Sequence, residues 1–157
     1  MELDGVRTVV ELGPGTGSCT QVIREFIGPE TLLVAIEINA LFTRHLGRKF
    51  PDLEVINGSA EDLPLHLKTY ERSSADVILS GIPWGSLPYG EQDRLMNGVV
   101  SALRPGGRFA AVANAHAVWL RPGRRFRTML EGHFRQVRRS PVVWKSFPPA
   151  FVYHCEK

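Results

Sequence analysis

The sequence predicts an α/β fold with a doubly wound, mainly parallel sheet of seven strands. Five apolar segments of strand length alternate with segments of helical character in the first part of the chain. That alternation is typical of parallel strands covered by helices on both faces. The first strand also breaks into a glycine-rich turn that reopens as a helix. Two further strand-like segments near the C-terminal end have no helix between them, which predicts an antiparallel hairpin at one edge of the sheet.

The rest of the chain is organised around the first strand and its turn. Residues 8–12 form a mainly apolar run that predicts a short buried strand, and 18–27 predict the helix that follows. Between them, glycine occupies alternate positions at Gly13, Gly15 and Gly17. Glycines are needed where the backbone turns sharply and approaches a ligand that a Cβ would obstruct. The free N–H groups at the start of the next helix then face an anion.

The spacing of these glycines distinguishes two kinds of nucleotide-type cofactor. A dinucleotide site has the pattern G-x-G-x-x-G, which would require glycine where this chain has Ser18. Here the pattern is E-x-G-x-G-x-G, beginning at Glu11. A second strand at 32–37 ends in Glu37, and a carboxylate at that position can accept hydrogen bonds from both ribose hydroxyls of a nucleoside. The alternative is a glycine turn of purely structural purpose.

The remaining elements follow from local signals in chain order. Asn39 suits a helix cap, and the apolar spacing from Leu95 to Leu103 indicates an amphipathic helix that Pro105 and Gly106 end. The predicted elements are a helix at 40–49, a strand at 53–57, a weak helix or loop at 65–73, a strand at 75–81, an irregular loop at 82–88, a helix at 90–103, a strand at 108–113, a helix at 124–131, and strands at 134–143 and 149–155.

Composition bounds the class of protein. The 157 residues, of which 43% are hydrophobic and 22% charged, predict one soluble globular domain over 1–157. No segment reaches the roughly 18 apolar residues of a membrane span, and the polar start at 1–4 predicts no signal peptide. Cys19 and Cys155 stand far apart without a metal-ligand pattern, which predicts free thiols of a cytoplasmic protein and no metal site.

Charge is divided unevenly along the chain. Residues 1–103 hold 14 of the 16 acids and 8 of the 19 Lys and Arg, whereas 104–157 hold two acids against eleven Lys and Arg. A positive field at one end attracts phosphate-bearing partners or an anionic surface. The segment 119–127 interleaves aromatic and arginine side chains, so it can rest on a membrane interface or grip a phosphate. The alternative is a solvated loop running into a helix whose Phe126 and Leu130 face the core.

The glycine motif resembles the first motif of the class I, Rossmann-like methyltransferases that use S-adenosyl-L-methionine. That resemblance implies this cofactor and a strand order of 3-2-1-4-5-7-6. In such enzymes the loop after the fourth strand receives the methyl acceptor. The ribosomal RNA adenine dimethylases carry Asn-Leu-Pro-aromatic there, and this chain has Gly81-Ile82-Pro83-Trp84. Because glycine replaces the amide that binds the acceptor amine, the resemblance counts against direct adenine methylation.

The chain more closely resembles the bacterial phospholipid N-methyltransferases, which are related to those dimethylases. The pieces that carry the likeness are Glu11-Leu12-Gly13-Pro14-Gly15-Thr16-Gly17, Ser80-Gly81-Ile82-Pro83 with Ser86-Leu87-Pro88, Leu103-Arg104-Pro105-Gly106-Gly107, and Trp144 followed by Phe147-Pro148-Pro149-Ala150-Phe151-Val152-Tyr153. Such enzymes carry a helical lid before the first strand, whereas only about seven residues precede it here. Either a partner copy in a homodimer supplies the lid, or the site is open, or the sequence is a fragment.

The resemblance also implies site residues. Methyl transfer to an amine mainly requires positioning, and the amine must lose a proton. The acceptor-side candidates are Trp84, Glu61, His116 and Tyr89, with Trp84 either making a cation–π contact with a methylated ammonium or anchoring its loop. The cofactor-binding candidates are Glu11, Gly13, Pro14, Gly15, Thr16, Gly17, Glu37, Ile38, Ser59, Ala60, Glu61, Ser80, Gly81 and Ile82.

Together these observations predict a methyltransferase that acts on an amine. The amine belongs to a phospholipid, with the protein peripheral to the membrane surface, or to a small metabolite. Two alternatives stay open. One is a nucleic-acid methyltransferase that uses the basic tail, as an RNA adenine N-methyltransferase would. The other is a cofactor-binding protein with chemistry other than methyl transfer.

Overall fold

The computed structural model of the protein describes Leu3 and residues 5–157. Met1, Glu2 and Asp4, which contribute to the prediction of no signal peptide, lie outside the described residues. The strands are β1 (Thr8–Leu12), β2 (Leu32–Glu37), β3 (Glu54–Asn57), β4 (Ala75–Ser80), β5 (Leu103–Asn114), β6 (Gln136–Arg139) and β7 (Ala150–Glu156). The helices are α1 (Ser18–Phe26), α2 (Ala40–Lys49), α3 (Leu63–Lys68), α4 (Tyr89–Ala102) and α5 (Arg121–His133), with 3-10 helices at Ala60–Asp62, Trp84–Ser86 and Ala115–Trp119.

The strands form one sheet in the order β3-β2-β1-β4-β5-β7-β6. The pairs that β1 to β5 form with one another are parallel, and β7 lies between β5 and β6, antiparallel to both. The predicted strand order and the predicted hairpin are both confirmed. Because β1 to β5 are parallel, their carboxyl ends meet at one edge of the sheet, which we call the carboxyl edge. Open α/β sheets bind their ligands at that edge.

Helices cover the two faces of the sheet unequally. Alternate residues of a strand point to opposite faces, so Val10 packs into the larger core cluster with α3, α4 and α5, whereas Val9 packs into a smaller one with Ile23 of α1. On the α1 side, β4, β5 and β7 border an open cavity of about 380 Å³ lined by apolar side chains such as Val112 and Val152. We call it the sheet-face cavity.

Among the predicted element boundaries that differ from the structure are those of α5, β5 and β6. Helix α5 begins at Arg121 instead of 124, because Pro122 fits the first turn of a helix, where its missing N–H needs no partner. Strand β5 begins earlier, at Leu103, and its pairing with β4 contains a register shift before Arg108. Strand β6 is shorter than predicted, since Pro141 cannot donate a hydrogen bond to a neighbouring strand.

Candidate functional site

The glycine-rich turn after β1 has the strained backbone that its sequence predicts. Gly13, Gly15 and Gly17 all have left-handed φ angles, of 66°, 56° and 80°, which residues with a Cβ rarely adopt. A Cβ on Gly17 would also lie 2.7 Å from the Phe50 ring. The turn is tied to the sheet because the Gly13 N–H donates to the Ile36 carbonyl oxygen at 2.9 Å. The glycines are therefore a requirement of the local backbone.

Glu37, at the carboxyl end of β2, faces this turn. Its side chain is buried, and its two carboxylate oxygens accept from the backbone N–H groups of Gly15 at 3.1 Å and Asn39 at 2.8 Å. Asn57 of β3 supports the same corner by donating to the Glu37 carbonyl oxygen at 2.9 Å. Each carboxylate oxygen can accept more than one hydrogen bond. The carboxylate is thus fixed in orientation and retains capacity to bind hydroxyl groups.

A cavity of about 420 Å³ opens between the turn, the tip of β2 and the loops after β3 and β4. We call it the edge cavity, and its volume lies in the range of about 300–1,000 Å³ usual for small-molecule sites. Ile38 is 76% exposed at its rim. The predicted residues that it brings together are Gly13, Glu37, Ile38, Ser59, Ala60, Glu61, Gly81 and Ile82.

The other predicted cofactor residues are not in the wall of the edge cavity. Glu11, Pro14 and Ser80 line the sheet-face cavity, which meets the edge cavity at Gly13 and Gly81. Gly15, Thr16 and Gly17 belong to the turn itself, where the Thr16 carbonyl oxygen accepts from Lys49 Nζ at 3.1 Å. The predicted set therefore surrounds the turn on both faces of the sheet.

The sequence analysis did not predict several of the residues that line the edge cavity. Phe42, Arg94 and Leu95 line it from α2 and α4. A signal for Phe42 existed, since it lies one helical turn before the buried Leu46 and therefore on the same face of α2. The Arg94 guanidinium donates to Glu61 at 3.2 Å. Glu61 is thus already engaged in an ion pair at the rim.

The loop after β4 holds Trp84 in the protein core. Its side chain is 1% exposed, its Nε1–H donates to Ser80 Oγ at 2.9 Å, and its ring stacks on Phe126 with centroids 4.8 Å apart. The buried Gln92 amide donates to the Trp84 carbonyl oxygen at 2.8 Å. These contacts are those of a loop anchor. With 1% of its surface exposed, Trp84 fits the alternative of a loop anchor, and its acceptor-facing role stays a prediction.

The packing of the loops after β1 and β4 requires glycine at position 81. Its N–H donates to the Leu12 carbonyl oxygen at 2.8 Å, and a Cβ there would lie 2.7 Å from the Gly13 carbonyl oxygen. The loops after β1 and β4 therefore touch through backbone atoms. The position that carries an amide in the dimethylases has no room for a side chain in this arrangement.

The remaining acceptor-side candidates, His116 and Tyr89, do not line the edge cavity. His116 is exposed and borders a small cavity of about 90 Å³ that also includes Gly81 and Tyr153. Tyr89 begins α4, and its ring lies under the Arg125 guanidinium at 4.9 Å. His116 thus lies beside the loop after β4, whereas Tyr89 makes a cation–π contact with Arg125.

Glu11 has the most perturbed carboxyl group of the site. It is buried on β1, and Thr20 Oγ1 donates to it at 2.6 Å. Burial raises the pKa of Glu11 from 4.5 to about 7, although the hydrogen bond from Thr20 opposes that shift. An ionised Glu11 side chain is therefore costly in this position.

Neither a metal cluster nor a spanning helix is present in Leu3 and residues 5–157. No three of their His, Cys, Asp and Glu side chains are grouped so that they could hold a metal ion. None of their helices has the length and apolar character needed to cross a membrane.

Fold and site together define the class of protein. The strand order, the glycine-rich turn after β1 and the carboxylate at the tip of β2 are those of the class I S-adenosylmethionine-dependent methyltransferases. The chain belongs to the methyltransferase domain family, whose model matches residues 9–107. S-adenosylmethionine is accordingly its cofactor.

Comparison with known proteins supports the class and leaves the acceptor open. The chain is 33% identical over 105 residues to an ornithine lipid N-methyltransferase from Singulisphaera acidiphila, covering 65% of this chain and 55% of that protein. The chain thus spans about half the length of that curated relative. Solved structures with the same fold differ in substrate, so the fold alone does not identify the acceptor.

Two of these structures illustrate the range of methyltransferases that share this fold. An O-methyltransferase from Bacillus cereus, solved in complex with SAH, has a TM-score of 0.75 at 15% identity and covers 99% of this chain and 76% of its own. An rRNA methylase from Streptococcus thermophilus has a TM-score of 0.72 at 16% identity and covers 99% of this chain and 89% of its own.

Proposed function

We propose that the protein transfers a methyl group from S-adenosylmethionine to an amine of a phospholipid-type substrate. The observation that carries the proposal is the edge cavity, where the glycine-rich turn, the Glu37 carboxylate and the loop after β4 meet. The lipid N-methyltransferase among its relatives supports an amine lipid as the acceptor. The lack of room for an amide at Gly81 argues against an adenine base.

The residues of the edge cavity fit the cofactor. A Cβ at Gly13 or Gly81 would press on the opposite loop, so both glycines keep the floor of the cavity open. In the proposed arrangement Glu37 accepts from the ribose hydroxyls, and Ile38 and Ala60 flank the adenine. When bound, S-adenosylmethionine supplies an electrophilic methyl group on its sulfonium.

The chain's own contribution to the reaction is positioning and proton acceptance. The acceptor amine must be neutral for its lone pair to attack the methyl carbon. In the proposed arrangement the backbone carbonyl oxygens of Ser80 and Gly81 orient the amine from the loop after β4. His116 is the nearby side chain that can take the amine proton, since Glu61 already pairs with Arg94.

The proposed function is tested by direct methylation of candidate acceptors. The protein is incubated with S-adenosylmethionine labelled in its methyl group and with three substrates: ornithine lipid in detergent, phosphatidylethanolamine in detergent, and RNA oligomers. We expect label in a lipid fraction. Label only in RNA would show that the proposed acceptor is wrong, and label in none of them would contradict the proposed function for this chain.

Replacing Glu37 with alanine should weaken S-adenosylmethionine binding. Losing hydrogen bonds to a desolvated ligand group costs about 1–3 kcal/mol, which is roughly 5- to 150-fold in Kd. Calorimetry with the cofactor measures this. Glu37→Gln is a milder variant, because its amide oxygen can still accept from Gly15 or Asn39. Glu25→Gln, on the exposed face of α1, is the matched control. Unchanged affinity of Glu37→Ala for S-adenosylmethionine would show that Glu37 is not part of the cofactor site.

A further inference from the structure

Three aromatic side chains project into solvent beside the carboxyl edge. Phe147 is 102% exposed, Trp119 81% and Trp144 77%, the highest values among the large apolar residues that the structure describes. Rings of this size are normally buried or in contact with a partner, because their exposure to water is unfavourable. Their grouping on one side of the molecule marks an interaction surface.

These aromatics lie on two loops that the sheet brings together. Trp119 follows β5, and Trp144 and Phe147 precede β7. Asn114 at the end of β5 pairs with Ala150 at the start of β7, and the Ala115 N–H donates to the Pro149 carbonyl oxygen at 2.8 Å. Both loops therefore leave the sheet at the end of β5, on the same edge as the loop after β4.

The loop before β7 is held in shape by its own hydrogen bonds. The Val143 N–H donates to the Ala150 carbonyl oxygen at 2.8 Å. Ser146 Oγ donates to the carbonyl oxygens of Val143 at 2.8 Å and Pro148 at 3.1 Å. A closed turn therefore presents Trp144 and Phe147 outward.

Positive charge lies on the first turn of α5, which follows Trp119, and in the loop before β7. Arg121, Arg124 and Lys145 are exposed. Between residues 114 and 149 the sequence has one acid, Glu131, and its carboxylate is taken by Arg127 at 2.8 Å. Asp93 of α4 is engaged by Arg125 at 2.8 Å. The outward aromatics thus lie on segments that carry a net positive charge.

We propose that Trp119, Trp144, Phe147, Arg121, Arg124 and Lys145 form a docking surface for an anionic lipid bilayer, which we call the edge surface. Tryptophan and phenylalanine insert at the level of the lipid headgroups, and arginine and lysine are attracted to anionic ones. Docking in this way turns the carboxyl edge, with the loop after β4, toward the headgroups. The purpose of docking rests on the proposed function, whereas the binding itself does not.

Vesicle co-sedimentation tests the edge surface. Wild-type protein is mixed with phosphatidylcholine vesicles that contain or lack phosphatidylglycerol, and we expect strong binding only when the anionic lipid is present. Arg121→Gln, Arg124→Gln and Lys145→Gln should each weaken binding about fivefold. Trp119→Ala, Trp144→Ala and Phe147→Ala combined should weaken it by roughly tenfold or more.

Matched controls separate the edge surface from general charge and from misfolding. Arg44→Gln, Arg48→Gln and Arg72→Gln remove equal charge from exposed sites elsewhere and should leave binding almost unchanged. Every variant should keep the cofactor affinity of the wild type by calorimetry, because the edge surface lies outside the cofactor residues. Edge-surface variants that bind anionic vesicles as tightly as the wild type, or a wild type that binds RNA oligomers and not vesicles, would overturn the proposal.

A second measurement distinguishes this proposal from the proposed function. Methylation of an amine lipid dispersed in detergent needs no bilayer, so edge-surface variants should retain it while losing methylation of the same lipid in anionic vesicles. Vesicle binding without methylation of any lipid would support docking and contradict the proposed function. Methylation of dispersed lipid by a protein that never binds vesicles would support the proposed function and contradict docking.

Discussion

Replacing Trp84 with alanine should lower the free energy of unfolding by about 3–5 kcal/mol, the range for large-to-small substitutions of buried aromatic residues. The variant loses the stack on Phe126 at 4.8 Å and the hydrogen bond from Nε1 to Ser80 at 2.9 Å. It also leaves a cavity under the loop after β4. Denaturant unfolding followed by circular dichroism measures the change.

Two variants show whether the loss comes from anchoring. Trp84→Phe keeps an aromatic ring against Phe126 and gives up the hydrogen bond to Ser80, so it should cost far less than the alanine variant. Trp144→Ala removes an exposed ring of the same type and should change stability by no more than about 0.5 kcal/mol. A Trp84→Ala protein as stable as the wild type, with only methylation lost, would support the acceptor-facing role.

Replacing Glu11 with glutamine should stabilise the protein at about pH 8 by roughly 3 kcal/mol, because it removes a buried carboxyl group whose pKa is raised from 4.5 to about 7. In this pH interval the folded protein binds more protons at Glu11 than the unfolded chain does. The stability of the wild type should therefore fall as the pH rises from 4.5 to about 7, and then level off.

The amide of glutamine can still accept the hydrogen bond from Thr20, so the packing changes little. Thermal unfolding across this pH range, without cofactor, should show the stability gap between Glu11→Gln and wild type closing toward acid pH. Glu25→Gln, at an exposed position, should run parallel to the wild type. A constant gap at all pH values would mean that burial does not perturb Glu11.

Local patterns predicted the half of the fold that contains β1, β2 and the glycine-rich turn. The bounds of β1 and β2 agree with the mainly apolar runs, because strands buried on both faces are nearly continuous hydrophobic segments. Glycines at alternate positions and a carboxylate at the tip of β2 are separated by only a short helix, so spacing alone placed them together. The structure adds the hydrogen bond between Glu37 and Gly15.

The surroundings of Trp84 and Glu61 could not be predicted in the same way, since they depend on contacts between distant parts of the chain. Trp84 is buried by Phe126, which lies on α5. An aromatic residue in a loop rich in proline and glycine looks exposed until that helix is placed. Likewise, Arg94 reaches Glu61 because α4 packs closely on the 3-10 helix at Ala60–Asp62, where a Cβ on Gly98 would clash with the Ala60 carbonyl oxygen.

The position of β7 inside the sheet also sets the order in which the protein can fold during synthesis. Among the described strands β6 pairs only with β7, and β7 in turn pairs with β5. A ribosome that has released β1 to β5 and α5 has therefore produced a sheet to which β6 cannot yet attach. Tyr153, which packs edge-on against Phe126 at 5.8 Å, arrives with β7. On a nascent chain, the half with the glycine-rich turn can form first, and the half that contains β6 must wait for β7 to leave the exit tunnel.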